Sequence, residues 1–263
     1  GHACKKFKIG DTVYYSGALN RNGTNAEYHC VDERIVGHKP KSLNYSEAAA
    51  LPLTALTAWE TLFDRLEINR PVAGAKKRIL IIGGAGGVGS IAIQLAKQIG
   101  SLEVAATASR LETKKWVRDL GADIVFDHAE NLTEQFSKAG WNDISFVFST
   151  NNSHSYVNSI ADILAPQGRF GLIDDPEIFD IKAFKRKSIS IHWELMFTRS
   201  LFSTEDLERQ GWILDHIANL IDNRSIRTTI GSHYGLINAT NLRRAHSDIE
   251  IGRVKGKIVL EGF

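Results

Sequence analysis

A short glycine-rich run, GAGGVG at residues 84–89, contains the residue types best suited to binding an anionic ligand. Its spacing matches GxGxxG, in which glycines allow a tight turn and a close approach of backbone to pyrophosphate. The apolar run Ile79–Ile82 precedes it, and apolar residues at helical spacing follow from Val88 to Ile99. A helix beginning here would direct free N–H groups and its positive dipole end at an anion. The pattern predicts a dinucleotide-binding loop made by Gly84, Gly86, Gly87, Val88 and Gly89; the alternative is a glycine turn that only packs a helix on a sheet.

Two other nucleotide chemistries are disfavoured by the residues present. A phosphate-binding loop of the GxxxxGK[ST] type needs a lysine directly after its last glycine, whereas Ser90 and Ile91 follow Gly89. Short-chain reductases use a Tyr-x-x-x-Lys pair, and none of the six tyrosines has a lysine four residues later. The glycine run therefore favours a dehydrogenase-type site.

The end of the next predicted strand bears on which dinucleotide is bound. An acidic residue about 20 residues after the loop would bind the ribose of NAD. The chain reads Thr-Ala-Ser-Arg at 107–110 and has no acid there. Ser109 and Arg110 could donate hydrogen bonds to a 2′-phosphate, with Lys114 as a further positive charge. We therefore expect NADPH as the cofactor; the competing interpretation is that Arg110 is a solvated residue at a helix start.

The hydrophobic periodicity predicts the elements that position these residues. From residue 79, apolar strand candidates alternate with helices, which is typical of an α/β fold with a six-strand, doubly wound parallel sheet. The flanking segments contain both helical and strand-like patterns and predict a second, discontinuous domain. The strand candidates in the repeating part are 79–82, 104–107, 124–126, 144–148, 169–172 and 188–191; the flanking candidates are strands at 11–15, 27–31, 228–234 and 256–260, and helices at 46–63 (broken at Pro52), 204–222 and 239–249.

Four stretches, spread over nearly the whole chain, together form a specific pattern. They are FKIGDTV (7–13), EAAALPLTALTAWE (47–60), GGAGGVGSIAIQLAK (83–97) and GKIVL (256–260). With them, the chain resembles the medium-chain dehydrogenase/reductase superfamily, and within it the quinone oxidoreductase branch. HWELMFTR (192–199) with Ala245-His246 is similar to the subgroup called zinc-type alcohol dehydrogenase-like.

The resemblance implies a Rossmann domain at 73–194, flanked by parts of a β-rich, GroES-like catalytic domain at 1–72 and 195–263. It also implies a further amino-terminal segment before Gly1, without which the chain is expected to bind NADPH but turn substrate over poorly. Ligands of such sheets lie at the carboxyl ends of the strands. The residues then expected on the nicotinamide side are Thr57, Ser149, Thr150, Asn151, Ile173 and Asp174.

The activity implied by the resemblance is hydride transfer from NADPH to a quinone or an α,β-unsaturated carbonyl. No catalytic acid or base is assigned. We expect no zinc, because Leu51–Thr54 lacks the cysteine that classical members have there and no Gly-His-Glu motif is present. The alternatives left open are a zinc-dependent alcohol dehydrogenase and a non-catalytic relative that binds NADPH or RNA.

Composition and charge bear on partners and location. The net charge of +2 and the lack of a basic stripe with interleaved aromatics argue against nucleic acid, and no apolar run is long enough to span a bilayer. Cys4 and Cys30 form no disulfide framework, so we expect a cytoplasmic protein. The resemblance implies a homodimer that pairs through the last strand of the sheet, near Ser188–Trp193.

Overall fold

A computed structural model describes residue 2 and residues 4–262, and it divides the chain into two compact units. One unit is Ala58–Glu194, and the other combines Gly1–Thr57 with Leu195–Phe263. The first boundary lies earlier than the predicted 72/73, because the helical segment at 60–65 packs against the last two strands of the sheet. The assignment of the three chain segments to cofactor-binding and catalytic domains stays a prediction.

Strands and helices alternate regularly only between residues 76 and 193. In chain order the elements are β1 (Val13–Tyr14), a 3-10 turn (Glu33–Ile35), β2 (Gly37–His38), α1 (Tyr45–Ala49), α2 (Pro52–Trp59), a π-helix (Glu60–Arg65), β3 (Lys76–Ile82), α3 (Gly87–Gln98), β4 (Glu103–Thr107), α4 (Leu111–Asp119), β5 (Ile124–Phe126), α5 (Leu132–Ala139), β6 (Ile144–Ser149), a 3-10 turn (Ser153–Tyr156), α6 (Val157–Ile163), β7 (Leu164–Leu172), α7 (Lys182–Lys185), β8 (Ser190–Trp193), α8 (Thr198–Phe202), α9 (Arg209–Asp222), β9 (Ile230–His233), α10 (Ala239–Glu250) and β10 (Lys257–Val259).

The unit 58–194 is built on a six-stranded sheet in the order β5-β4-β3-β6-β7-β8. Every neighbouring pair in it is parallel. All residues of β6 and the last four of β3 are buried, which explains why their sequences are apolar without alternation. The predicted α/β fold with a Rossmann-type, doubly wound six-strand sheet is confirmed.

The other unit contains two short strand pairs. β1 pairs with β2 in antiparallel fashion, and β9 pairs with β10 in parallel. Gly37 in β2 lies so close to α9 that a Cβ there would collide with Leu214, and the Tyr14 hydroxyl donates to the Leu214 carbonyl over 2.7 Å. Among the described residues, no helix is both long enough and apolar enough to span a membrane.

Two predicted flanking elements differ from the structure. Residues 27–31 do not form a strand, and the segment is mostly exposed. Its β-type residues do not produce a strand because no neighbouring strand pairs with them, and strand propensity mainly reflects packing against such neighbours. The predicted helix 204–222 begins only at Arg209, and the shorter α8 precedes it. The predicted break at Pro52 is confirmed, because α1 ends at Ala49 and α2 begins at the proline.

Candidate functional site

The glycine run forms the turn between β3 and α3. Gly83 adopts a left-handed backbone (φ 78°), a conformation that favours glycine, and the Gly86 N–H donates to the Gly83 carbonyl over 3.1 Å. Gly86 then caps α3 with an extended backbone (φ −71°, ψ 175°), without any side chain to close the helix end. The chain therefore leaves the central strand and enters the helix within four residues.

The glycines of this turn serve two different purposes. A Cβ at Gly84 would lie 2.7 Å from the Cβ of Ala106, and one at Gly89 would collide with the Gly83 carbonyl oxygen. These two positions must be glycine for α3 to approach the sheet. A Cβ at Gly86 would meet only the Gly83 carbonyl oxygen, at an ordinary 3.5 Å. Gly86 therefore borders open space, where a ligand can approach the backbone.

The amino-terminal end of α3 carries a positive partial charge. The first N–H groups of a helix have no acceptor within the helix, and Ser90 is the first residue to donate back, to Gly86 over 2.9 Å. The N–H groups of Gly87, Val88 and Gly89 thus lie in the first turn of α3, and the first N–H groups of a helix are the ones that bind phosphate groups in other proteins. The helix dipole adds to the attraction for a negative charge.

Two threonines from neighbouring strands hold this turn in place. The Thr107 hydroxyl at the end of β4 accepts a hydrogen bond from the Gly83 N–H over 3.0 Å. After β6, the Thr150 N–H and hydroxyl both donate to the Ile82 carbonyl, over 3.1 and 3.0 Å. The threonines brace the turn from either side, because β4 and β6 are the two neighbours of β3. The sequence predicted Thr150 as a site residue but gave no signal for Thr107, whose role depends on its place in the sheet.

The residues predicted to bind a 2′-phosphate follow β4. Ser109 and Arg110 are half-buried, and Arg110 is the N-cap residue of α4, with Nη2 3.5 Å from the Glu112 carboxylate. Lys114 lies one turn into α4, where its Nζ donates to the Asp127 carboxylate over 2.6 Å. This hydrogen bond holds the pKa of Asp127 below its usual value. Lys114 is therefore already paired with a carboxylate, which the sequence did not predict.

Five of the residues predicted on the nicotinamide side lie at the end of β6 or directly after β6 and β7, which are adjacent strands. The Asp174 carboxylate accepts hydrogen bonds from the Ser153 N–H, over 2.8 Å, and from the Ser153 hydroxyl. The Ser153 hydroxyl also lies 2.8 Å from that of Ser149. Asp174 thus fixes the loop containing Ser149, Thr150 and Asn151. Ile173 precedes it and is half-buried.

Thr57 belongs to the other unit, at the end of its amino-terminal segment. It lies in α2, is 5% exposed, and donates through its hydroxyl to the Leu53 carbonyl over 2.8 Å. Its predicted position beside the nicotinamide stays a prediction.

The comparisons with known proteins agree with this geometry. Residues 87–209, which begin at the first residue of α3, match the family described as zinc-binding dehydrogenase. A zinc-type alcohol dehydrogenase-like protein of Staphylococcus aureus is 39% identical over 256 residues, which is 97% of this chain and 76% of the relative. The chain belongs to the medium-chain dehydrogenase/reductase superfamily, among its zinc-type alcohol dehydrogenase-like proteins. It is an oxidoreductase.

Further members of the superfamily are similar over most of the chain. A mitochondrial NAD(P)H oxidoreductase of Danio rerio is 30% identical, covering 97% of this chain and 67% of its own length. A Rhizobium etli structure described as a zinc-dependent alcohol dehydrogenase is 55% identical, with a TM-score of 0.96 over 98% of this chain and 75% of that one. The Coxiella burnetii quinone oxidoreductase has a TM-score of 0.78 at 26% identity, over 100% of this chain and 75% of that one.

The superfamily name raises the question of a zinc ion. A zinc site needs three or four Cys, His or acidic side chains that converge on one point. No group of three or more such side chains converges anywhere in residues 2 and 4–262. The described part of the chain does not fit a zinc centre.

Proposed function

We propose that this dehydrogenase transfers a hydride from NADPH to a quinone or an α,β-unsaturated carbonyl. The proposal rests on one arrangement of the sheet. The turn at Gly86 is open to a ligand, and the neighbouring strand β4 is followed by Ser109 and Arg110 where an NAD-binding site would have an acidic residue. The bound cofactor would supply the hydride. The chain would bind it, orient it and exclude water from it.

The pyrophosphate would be bound by the backbone at the start of α3. Three N–H groups and the helix dipole favour a negative charge there, and the bracing by Thr107 and Thr150 keeps the turn from relaxing when the ligand leaves. A turn that is preorganised in this way loses little conformational freedom on binding.

The adenosine end would be selected by charge. An acid at the end of β4 would repel a 2′-phosphate, whereas a guanidinium can donate two parallel hydrogen bonds to it. Arg110 can present such a fork, whereas Lys114 is a single ammonium that is paired with Asp127. A mycobacterial relative, 26% identical with a TM-score of 0.69 over 86% of this chain and 67% of that one, was solved in complex with NADPH. That complex supports the choice of a nicotinamide cofactor.

The nicotinamide end would lie over the loops after β6 and β7. The Asp174–Ser153–Ser149 hydrogen bonds hold these loops, so the residues 149–151 and Ile173 would present a fixed surface to the ring. Hydride transfer needs the reacting atoms about 3–3.5 Å apart and aligned. The substrate class is taken from the quinone oxidoreductase and NAD(P)H oxidoreductase relatives.

A turnover assay with matched variants tests the proposal. NADPH oxidation should require menadione or methyl vinyl ketone as acceptor. Gly86→Ala adds a methyl group on the open side of the turn and should raise the KM for NADPH at least tenfold with little change in stability. Gly23→Ala, in an exposed loop with open space around it, is the control and should change neither. Oxidation of an alcohol with NADP⁺, without reduction of any quinone or enone, would overturn the proposal.

A further inference from the structure

A cavity lies in the unit 58–194, at the opposite end of the sheet from the glycine turn. It has a volume of about 360 Å³ and lies where the pairing of β7 with β8 begins. The register of these strands starts with Arg169 opposite Ser190 and ends with Leu172 opposite Trp193. The candidate cofactor residues follow the carboxyl ends of the strands, so the cavity is separate from that site.

A buried arginine is among the residues that line this cavity. Arg169 is 8% exposed, and its Nη1 donates to the carbonyls of Leu66, Glu67 and Arg70 over 2.7, 2.9 and 3.2 Å. Its guanidinium also lies over the ring of Phe146, 5.5 Å from the centroid. Within the described residues, no carboxylate forms an ion pair with Arg169, and its Nε and Nη2 donate no hydrogen bond.

The Nε and Nη2 edge of the Arg169 guanidinium is suited to binding a carboxylate. Nε and Nη2 form a planar fork of two parallel N–H donors, which matches the two oxygens of a carboxylate. A guanidinium that is held by carbonyl dipoles and a ring, without a carboxylate partner, gains charge-assisted hydrogen bonds from an anion. Arg169 therefore offers an anion both the geometry and the charge it needs.

The other residues of the lining limit the size and charge of that anion. Arg70 at the rim is paired with Glu67 over 2.9 Å, and burial together with the charge of Arg169 lowers the pKa of His192, so His192 is neutral near pH 7. The lining thus has a net charge of one positive unit. Residues 71–73, Pro-Val-Ala, form an apolar wall. The Ser190 hydroxyl lies 3.0 Å from Nε2 of His192 on the same face of the sheet.

We propose that this cavity binds a small organic monocarboxylate. The carboxylate pairs with the Nε/Nη2 edge of Arg169, and the apolar body of the ligand packs on Pro71, Val72 and Ala73. A phosphate dianion fits less well, because the lining supplies one net positive charge and an inorganic ion leaves the apolar wall uncovered. The proposal does not depend on the cofactor or on the substrate assigned above.

Isothermal titration of the intact chain with benzoate tests this site, with inorganic phosphate and benzyl alcohol as comparison ligands. Benzoate should bind saturably at one site, at least tenfold more tightly than either comparison ligand, and saturating NADPH should not change its affinity. Phosphate binding as tight as benzoate binding, or displacement of benzoate by NADPH, would overturn the proposal.

Two variants separate this site from other surface sites. Arg169→Lys keeps the positive charge but loses the fork, and should lower the benzoate affinity at least tenfold. Because Arg169 also holds the carbonyls of the segment 66–70, Ala73→Trp is the second variant; it fills the cavity from an exposed position and should abolish binding without changing Tm. Ala129→Trp, at an exposed position in another loop, is the matched control and should bind as the parent does. Unchanged binding by Ala73→Trp would contradict the proposal.

Discussion

Two cations near the end of β4 differ in what they already contact, and this difference makes them unequal in the proposed site. The Arg110 Nη2 lies 3.5 Å from the Glu112 carboxylate, whereas the Lys114 Nζ forms a close ion pair with Asp127. A hydrogen bond to a charged group contributes about 1.5–3 kcal/mol. Arg110→Ala should therefore weaken NADPH binding roughly 10- to 100-fold and leave NADH binding nearly unchanged.

Lys114→Ala is the matched comparison for this prediction. It should weaken NADPH binding less than Arg110→Ala does, because Lys114 shares its charge with Asp127. Fluorescence titration of both variants with both cofactors provides the measurement. An equal loss of NADH and NADPH affinity in Arg110→Ala would mean that the residue does not contact a 2′-phosphate.

The sequence was informative for single residues where one local motif contains the whole signal. The glycines of the turn and the missing acid near Arg110 could be found in this way. The Asp174–Ser153 hydrogen bonds and the pairing of Lys114 with Asp127 could not, because each joins residues from different strands or helices. Which side chains meet across a sheet depends on strand order, and residue spacing does not reveal that order.

At the scale of elements, Lys114 and Asp127 join α4 to the end of β5. The pKa of Asp127 is lowered in the folded chain, chiefly by the hydrogen bond from Lys114. A carboxyl with a lowered pKa contributes stability above its ordinary pKa, and that stability is lost as the pH falls through the folded-state value. The free energy of unfolding in urea should therefore fall on acidification below about pH 4, and should fall less steeply in Asp127→Asn.

The control for this experiment is Asp175→Asn, at an exposed position. It should leave the acid dependence of unfolding close to that of the parent chain. The same dependence in Asp127→Asn and in the parent would show that the ion pair does not stabilise the junction of α4 with β5.

The strands of the large sheet were predictable because both faces of the sheet are covered. A strand that is covered on both faces has apolar side chains at every position, as in Ile79–Ile82, and this continuous apolar pattern is easy to recognise in a sequence. The segment 27–31 also has β-type residues, but it lacks a continuous apolar run. It forms no strand because no neighbouring strand pairs with it. Strand propensity alone was therefore misleading in the flanking unit, where ladders are only two to four residues long.

At the scale of the whole molecule, the edge of the large sheet predicts a homodimer. β8 is the last strand, Trp193 in it is 50% exposed, and Ile191 is partly exposed. An unpaired edge with such residues favours pairing with another chain, and a two-fold axis would close the contact. We propose that two copies join through β8, and light scattering at micromolar concentration should give twice the mass of the chain.

A charged residue on this edge should separate the copies. Trp193→Asp should give the mass of a single chain, whereas Ile178→Asp, in an exposed loop, should leave the dimer intact. A single-chain mass for the unmodified protein would contradict the proposed dimer.

In the proposed function, the turn at Gly86 and the end of β4 together form a site for NADPH. Fluorescence titration of the unmodified chain with NADPH and with NADH, under the same buffer and salt conditions, tests this most directly. We expect saturable binding of both cofactors, with NADPH bound at least tenfold more tightly because only NADPH would place a phosphate beside Ser109 and Arg110. Equal affinity for the two cofactors, or tighter binding of NADH, would contradict it.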